Sequence, residues 1–291
     1  MKPPPFVYHA PTELAEAVAL LADEGEDAKV LAGGQSLVPA MNFRLARPSA
    51  LIDINRVPGL DTLSYDGDGL SVGATVRHAR LERDRTTGPL AALLGSVAGW
   101  VGHLPIRVRG TVLGSLAHAD PAAEWPLVTR VLDGELVATS VRGIRRIAAD
   151  DFFAGYFTTA LRQDEILVEL RLPRLPAGTR WGFREFSRRA GDFALVAALV
   201  VLEVRDRTVT RARFGFAGVA STPVRAAGLE RLLTGSVVDD LDLATVHRTV
   251  ADGLEPTGDA HASVEYRRQL AAGLASGALA DALSAEPPHR D

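Results

Sequence analysis

Hydrophobic positions near the start of the chain follow first a helical and then a strand period. Apolar residues recur every three or four positions from Leu14 to Leu21, and Gly25 ends the run. This spacing predicts an amphipathic helix with one buried face. The short apolar stretches 29–32 and 51–54 predict two buried strands, with a short helix between them. The N-terminal segment therefore predicts a βαβ-like unit.

After these strands the apolar runs become shorter and alternate with turn residues. The stretch 61–74, DTLSYDGDGLSVGA, places a Gly/Asp turn between two alternating runs and predicts an antiparallel hairpin. Helices are predicted over 75–83, 89–101 and 121–132, and strands over 135–140 and 165–172.

The best candidate for a linker is 173–178, PRLPAG, because its prolines and glycine break both helices and strands. Beyond it, the runs 193–204 and 208–217 predict two strands around the polar turn RDRT, and helical patterns extend to about residue 283. Strands followed by helices favour a separate α+β unit. A chain of 291 residues also exceeds the usual size of one domain, so we expect two packed units.

Composition excludes several classes of partner and chemistry. A net charge of −4, with Lys and Arg spread along the chain, argues against nucleic acid and an anionic membrane surface as partners. The absence of cysteine excludes disulfides, thiolate catalysis and an iron–sulfur cluster ligated by this chain. The N-terminus lacks the apolar core of a signal peptide, and the longest apolar run, FALVAALVVLEV, is too short to span a bilayer. We therefore expect a cytoplasmic protein without an integral membrane segment.

Two glycine-bearing stretches are candidates for a phosphate site. Gly33-Gly34-Gln35-Ser36 follows a predicted strand, and glycines allow backbone N–H groups to approach a ligand closely. A tight turn without a ligand is an equally good interpretation of this stretch alone, since it matches neither common nucleotide motif. Farther along, RGTVLGS contains Gly110, Thr111, Gly114 and Ser115 and forms a second loop rich in small donors. Together the two loops could clamp the phosphates of a dinucleotide.

Other polar residues do not form a recognisable catalytic or metal-binding arrangement. His118, Asp120 and Glu124 are close in sequence but lack a second cluster of ligands, so His118 and Asp120 are expected to hold their loop by hydrogen bonds. No Ser-His-Asp or paired-carboxylate spacing stands out. The sequence therefore predicts no catalytic residue and no metal site on this chain.

Taken in order, four motifs resemble one protein family: AGGQSL, LIDI, RGTVLGSLAHADPAAE and FSRRAGDFALV. The chain is similar, over nearly its whole length, to the FAD-binding (medium) subunit of the molybdenum hydroxylase or xanthine dehydrogenase family. The likeness is greatest to the flavoprotein subunit of carbon monoxide dehydrogenase. It implies an α+β protein with an FAD-binding domain of the vanillyl-alcohol-oxidase (PCMH) type and a small α+β C-terminal domain of antiparallel sheet and helices. The implied boundaries are 1–175 for the first domain, with lobes of about 1–56 and 57–175, and 176–291 for the second.

The same resemblance implies which residues contact FAD. Relatives hold the pyrophosphate on two loops, which correspond here to Val30, Leu31, Ala32, Gly33, Gly34, Gln35, Ser36 and Leu37 and to Thr111, Val112, Leu113, Gly114 and Ser115. Further contacts are implied at Val101, Glu124, Leu167, Arg184 and Phe193. Leu113 stands where relatives carry glycine, so its amide can meet phosphate only if its φ is negative.

The resemblance implies an electron-transfer subunit with non-covalently bound FAD. The [2Fe–2S] clusters and the molybdopterin cofactor are expected on partners, a small iron–sulfur subunit and a large molybdopterin subunit, in a dimer of heterotrimers. A self-contained flavin oxidase or reductase and a scaffold that has lost FAD are the alternatives. No acid/base group is apparent for a substrate of its own, which weakens the first alternative, and both glycine loops are present, which weakens the second. The substrate of the molybdenum subunit and the electron acceptor stay open.

Overall fold

The first lobe of the protein is a small parallel sheet with two helices. The structure is a computed structural model, and it describes residues 1–284. Its elements are β1 (Val7–His9), α1 (Leu14–Glu24), β2 (Ala28–Leu31), α2 (Leu37–Asn42) and β3 (Ala50–Asp53). The strand order is β1-β3-β2, and β3 pairs in parallel with both neighbours. Ala50 and Ile52 of β3 are fully buried, as are Ala17 and Leu21 of α1 that pack in the same core. The predicted βαβ-like unit is confirmed. The added strand β1 is largely exposed, so its pattern carried no signal.

The second lobe is an antiparallel sheet covered by short helices. Its elements are β4 (Leu63–Tyr65), β5 (Gly69–Gly73), α3 (His78–Glu82), α4 (Pro89–Trp100), α5 (Leu104–Arg107), α6 (Val112–His118), α7 (Glu124–Val131), β6 (Glu135–Ser140), β7 (Gly143–Ala148), α8 (Ala149–Phe152), β8 (Phe153–Gly155), β9 (Thr158–Thr159) and β10 (Ile166–Pro173). The order of the main sheet is β4-β5-β10-β6-β7. The predicted hairpin and the helix and strands from residue 89 to 172 are confirmed within a few residues.

Two predicted helices begin later than their patterns indicated. The helix expected from residue 75 begins at His78, because the segment 76–78 pairs with 110–112: the Val112 amide donates to Val76 O and the His78 amide to Gly110 O. The helix expected from residue 121 begins at Glu124, because Asp120 holds the preceding turn through the Ala122 amide. The strand β7 was missed, since most of its side chains face solvent.

The C-terminal domain is an antiparallel sheet with one face covered by helices. Its elements are β11 (Arg180–Phe186), β12 (Val196–Arg205), β13 (Thr208–Ala217), β14 (Val224–Arg225), α9 (Ala227–Leu233), α10 (Leu243–Gly253) and α11 (Val264–Leu283). The strand order is β11-β12-β13-β14. The α+β architecture expected from the sequence is confirmed, and both long strands were predicted. The end of the predicted second domain, residues 285–291, lies outside the described residues.

The strand β12 joins the two domains because both of its faces are buried. Ala197, Leu199 and Val201 belong to the core shared with the first two lobes, whereas the intervening Ala198 and Val200 face the helices of the C-terminal domain. A strand buried on both faces reads as a continuous apolar run. This is why FALVAALVVLEV resembles a membrane segment in composition. No helix within residues 1–284 is long and apolar enough to cross a membrane.

Glycine allows the helix α11 to lie directly on β11. A Cβ on Gly182 would lie 1.9 Å from the backbone oxygen of Ala278 in that helix. We expect Gly182→Ala to lower the free energy of unfolding by roughly 1–3 kcal/mol, because backbone atoms on both sides must move apart. The control is Gly273→Ala, on the same helix with open space around it, which should raise stability by up to about 1 kcal/mol. Equal urea midpoints for the two variants would contradict this packing.

A buried histidine connects α3 to α7. His78 is 4% exposed, and its Nδ1 accepts a hydrogen bond from the indole Nε1 of Trp125 at 2.9 Å. The planes of the two rings are nearly parallel, with an angle of 9° and centroids 6.0 Å apart, so the rings lie edge to edge along the hydrogen bond. Burial, aided by the nearby charges of Arg107 and Arg77, lowers the pKa of His78 to about 3. His78 is therefore neutral at physiological pH, with its proton on Nε2.

This depressed pKa predicts a loss of stability in acid. The pKa of His78 is about 3 when folded and near 6.5 when unfolded, so the unfolded chain takes up the proton first as the pH falls. Stability that is fully present above pH 6.5 should decline by roughly 1 kcal/mol per pH unit below it. His78→Asn keeps an acceptor for Trp125 but does not titrate in this range. Urea unfolding of both proteins at pH 7.5 and pH 5 should show the wild type losing more stability than the variant, and parallel losses would contradict the assignment.

Candidate functional site

The first glycine loop, residues 32–36, presents backbone donors that have no acceptor. Gly34 has a φ of +69°, which turns the chain sharply after β2, and its carbonyl accepts from the Val38 amide at 3.0 Å. Gln35 Nε2 donates to Gly33 O at 3.1 Å and so closes the loop on itself. The amides from Gly33 to Ser36 donate to no other residue within 1–284. Such a run of free N–H groups on a half-buried loop is suited to an anion.

The second glycine loop, residues 109–115, leads into the first turn of α6. Thr111 is its N-cap, and its Oγ1 accepts from the Gly114 amide at 3.0 Å. Val112 and Leu113 are almost completely buried, and the Val112 amide donates a hydrogen bond to Val76 O. The φ of Leu113 is negative, so its Cβ does not prevent its amide from meeting a phosphate. This amide has no acceptor in the described part of the chain.

The two glycine loops contact each other through their backbones. A Cβ on Gly33 would lie 2.6 Å from Arg109 O, 2.7 Å from Gly110 Cα and 2.9 Å from the Thr111 nitrogen. Any residue other than glycine would therefore push the loops apart. The contact makes the free amides of the first loop and the first turn of α6 neighbours. A diphosphate fits this cradle, since it needs several N–H donors at close range and no intervening side chain.

Two of the other predicted contacts flank the second loop. Glu124 is 6% exposed and begins α7 beside Trp125, whose ring is bonded to His78 under the second loop. Val101 ends α4, and its carbonyl accepts a long hydrogen bond of 3.4 Å from Arg107 in the turn that leads to the loop. Both residues thus border segments that lead to the second loop or pack beside it, and their contact with FAD stays a prediction.

The predicted aromatic contact, Phe193, lies in a cleft between the two domains. The cleft has a volume of about 640 Å³ and is lined in part by Tyr156, Phe157 and Asp120. Phe193 is 58% exposed, so its ring is available to a ligand. Burial raises the pKa of Asp120, while the Ala122 amide and His118 oppose that shift. An aromatic-lined cleft of this size suits a planar ring system.

A buried arginine supports the floor of this cleft. Arg267 is 5% exposed and donates from Nη1 to the carbonyls of Leu195 (2.5 Å) and Gly218 (2.6 Å). Its Nη2 donates to Asp259 at 2.6 Å. Burial acts to raise the pKa of Asp259, but the bond from Arg267 and the amides of His261 and Ala262 outweigh it and lower the pKa to about 2.

Leu167 and Arg184 occupy different surroundings. Leu167 is buried in β10 opposite Ala138, where it contributes an apolar side chain to the main core. Arg184 donates from Nε and Nη2 to Asp281 of α11, at 2.7 Å each. Its neighbour Phe183 points to the other face of β11 and packs edge-on against Trp100. The bonds to Asp281 thus tie the Arg184 side chain to α11, while FAD contact at either position stays a prediction.

Two polar residues beside the loops were missed by sequence reasoning. Asn55 follows β3 and donates from Nδ2 to Ala32 O at 2.8 Å, and Arg77 precedes α3 and donates to Arg109 O. Both stand directly after a strand or before a helix, a position that single-sequence patterns do not distinguish from an ordinary cap. No group of three His, Asp or Glu within residues 1–284 is arranged to hold a metal ion.

Comparison with known proteins identifies two families along the chain. The family described as FAD binding domain in molybdopterin dehydrogenase matches residues 4–175, and the family described as CO dehydrogenase flavoprotein C-terminal domain matches residues 181–282. The alpha subunit of the 6-hydroxypseudooxynicotine dehydrogenase complex of Paenarthrobacter nicotinovorans is 40% identical to this chain. The alignment covers 100% of this chain and 99% of that subunit. The carbon monoxide dehydrogenase medium chain of Hydrogenophaga pseudoflava is 35% identical, in an alignment that covers 96% of this chain and 97% of that medium chain.

A solved structure agrees with these sequence matches. The structure of quinoline 2-oxidoreductase from Pseudomonas putida 86 aligns with a TM-score of 0.88 and 37% identity, over 97% of this chain and 98% of that chain. The likeness extends over both domains, which confirms the two-part architecture and the resemblance of the sequence motifs. The chain therefore belongs to the FAD-binding medium subunits of the molybdenum hydroxylases, the oxidoreductase family that includes carbon monoxide dehydrogenase and xanthine dehydrogenase.

Proposed function

We propose that this chain binds FAD without a covalent bond and carries electrons between the iron–sulfur clusters of a partner and an external acceptor. The observation that carries the proposal is the backbone contact of the two glycine loops, which brings backbone amides without an acceptor in residues 1–284 close together. The absence of cysteine excludes a cysteinyl thioether to the flavin and is consistent with non-covalent binding.

The residues of each part of the site have distinct roles in holding FAD. The amides of Gly33 to Ser36 and of Leu113 bind the pyrophosphate, and Glu124 lies toward the sugar. Phe193, in the cleft between the domains, and Val101, near the second loop, are the residues that would pack against the isoalloxazine ring. When bound, FAD supplies one-electron and two-electron redox chemistry, which no side chain of this protein provides.

The electron donors must come from other polypeptides. A chain without cysteine cannot ligate a [2Fe–2S] cluster through thiolates. In the carbon monoxide dehydrogenase family the molybdenum–pterin and iron–sulfur centres lie on other subunits. The proposed partners are therefore a small [2Fe–2S] subunit and a large molybdopterin subunit, assembled as a dimer of heterotrimers. The relatives named above act on an oxidised nicotine derivative, carbon monoxide and quinoline, and the substrate class of this complex follows from its molybdenum subunit.

A self-contained flavin oxidase is the alternative. Asp120 favours it, because its pKa is raised by burial and it lies in the aromatic cleft, where a proton acceptor for a substrate would be needed. Its carboxylate, however, already accepts a hydrogen bond from the Ala122 amide, with 2.9 Å between Asp120 Oδ1 and the Ala122 nitrogen. This makes a structural role in the turn before α7 the better explanation.

Gly33 allows a direct test of FAD binding. Gly33→Ala should reduce the affinity for FAD at least about 10-fold, since its Cβ would enter the space of the Arg109 carbonyl and separate the loops. Gly67→Ala, in the β4–β5 hairpin with open space around it, is the matched control and should bind FAD as the wild type does. The measurement is FAD titration of the apoprotein, with acid release and chromatography to identify the flavin. Full FAD content in Gly33→Ala would mean that the loop contact does not form the site.

The subunit assignment has its own test. Coexpression with the neighbouring genes, followed by size-exclusion chromatography and metal analysis, should yield a complex that contains iron, molybdenum and FAD. The isolated chain should transfer electrons from a chemical reductant to an acceptor dye but should not oxidise an organic substrate. Turnover of an organic substrate at full rate without iron or molybdenum would overturn the subunit proposal in favour of the oxidase.

A further inference from the structure

We propose that Asn55 and Arg77 form a latch that holds the two glycine loops in the arrangement that binds FAD. They are positioning residues, because their bonds go to the backbone of the loops and leave the free amides to the ligand. The inference rests on the proposed FAD binding and adds the residues that keep the cradle closed when no ligand is present.

The side chain of Asn55 is fixed in orientation by its neighbours. Asp53 Oδ1 accepts from the Asn55 backbone amide at 2.9 Å and from its Nδ2 at 2.6 Å. The same Nδ2 donates to Ala32 O, at the start of the first loop, at 2.8 Å. A carboxylate and a carbonyl only accept, so the nitrogen must face them and the Asn55 Oδ1 must face the opposite way. Tyr8 donates to the other oxygen of Asp53 at 2.6 Å and completes the anchor.

Arg77 connects this anchor to the second loop. Its Nη2 donates to Asn55 Oδ1 at 2.6 Å, and its Nη1 donates to Arg109 O. Burial lowers the pKa of Arg77, and the charge of Asp53 opposes that shift. The guanidinium stays protonated at neutral pH, because its ordinary pKa is far above that range. A continuous chain of hydrogen bonds therefore runs from Ala32 O through Asn55 and Arg77 to Arg109 O.

The latch orients the donors of the first loop by holding a carbonyl. In a planar trans peptide the C=O and the following N–H point in opposite directions. The bond from Asn55 to Ala32 O therefore directs the Gly33 amide away from Asn55. On the second loop, the Arg109 carbonyl is the atom that lies nearest to the position of a Gly33 Cβ. Arg77 thus holds the carbonyl at the point where the loops touch.

The position of the latch across two lobes gives it a function beyond local capping. Asn55 ends the first lobe, whereas Arg77 and Arg109 belong to the second. The backbone of Arg77 is itself bridged to Thr111, so the guanidinium starts from a fixed point beside the second loop. Without the latch each loop would keep its own turn, but the contact at Gly33 would lose the hydrogen bonds that connect the two loop carbonyls. We therefore expect its loss to weaken FAD binding more than folding.

The test uses Asn55→Ala and Arg77→Lys in the full chain. A lysine keeps the positive charge but presents a single ammonium, which cannot reproduce the planar fork that reaches both Asn55 and Arg109. The matched control is Arg80→Ala on α3, since Arg80 donates to the Asp61 carbonyl and to neither loop. FAD affinity is measured by titration of the apoprotein, and apoprotein melting reports the stability of the fold.

The expected result is a loss of FAD affinity of about 10-fold or more in each latch variant, equivalent to about 1.4 kcal/mol. The double variant should be little worse than either single variant, because both remove the same connection. Arg80→Ala should bind FAD normally, and the apoprotein melting temperatures of the latch variants should stay close to that of Arg80→Ala. Wild-type affinity in both latch variants would overturn the latch. A fall in melting temperature without a change in affinity would also overturn it and leave a purely structural role. Failure of the wild type itself to bind FAD would instead refute the proposed function.

Discussion

The backbone contact between Gly33 and residues 109–111 is the constraint on which the rest of the site depends. At Gly33 the two loops approach so closely that a Cβ has no room between them, so the loops meet there through peptide groups rather than through side chains. Peptide groups offer donors for an anion, but they cannot hold themselves in place by packing. The surrounding structure supplies that support: 76–78 pairs with 110–112, and the buried pair of His78 and Trp125 lies beneath. A neutral histidine that accepts a hydrogen bond is compatible with this position, whereas a charged one would be desolvated at high cost.

The second domain completes the site from the other side. Its strand β12 is apolar on both faces, so it belongs to the core of the FAD-binding lobes and to the core of its own helices. This arrangement brings the loop before β12, with Phe193, to the cleft that also contains Tyr156 and Asp120. Arg267 then ties that loop to the C-terminal helix by binding two carbonyls and Asp259. The cleft is therefore a product of domain packing rather than of any one segment.

The chemistry of the chain is limited by what it lacks, and its side chains serve to hold a ligand. With no cysteine, the chain supplies no thiolate for redox chemistry or for an iron–sulfur cluster. The polar residues around the cradle act on backbone groups, as Thr111 does on the Gly114 amide and Asn55 on the Ala32 carbonyl. A site of this kind distinguishes ligands by the geometry of backbone donors, which favours a diphosphate over a single carboxylate.

The sequence by itself determined the main apolar strands and helices, the two glycine-bearing stretches and the family. Long apolar runs such as β12, and strands with a clear buried face such as β6, were predictable because burial imposes a period on the residues themselves. Largely exposed strands such as β1 and β7 were not, since their side chains record no single buried face. The late starts of α3 and α7 were also hidden, because they result from a pairing with residues 110–112 and from the Asp120 turn. Only the tertiary structure decided that the loops touch at Gly33, that Asn55 and Arg77 join them, and that Arg184 is bonded to α11. Each of these depends on contacts between residues distant in sequence, and such contacts leave no local period for a pattern to reveal.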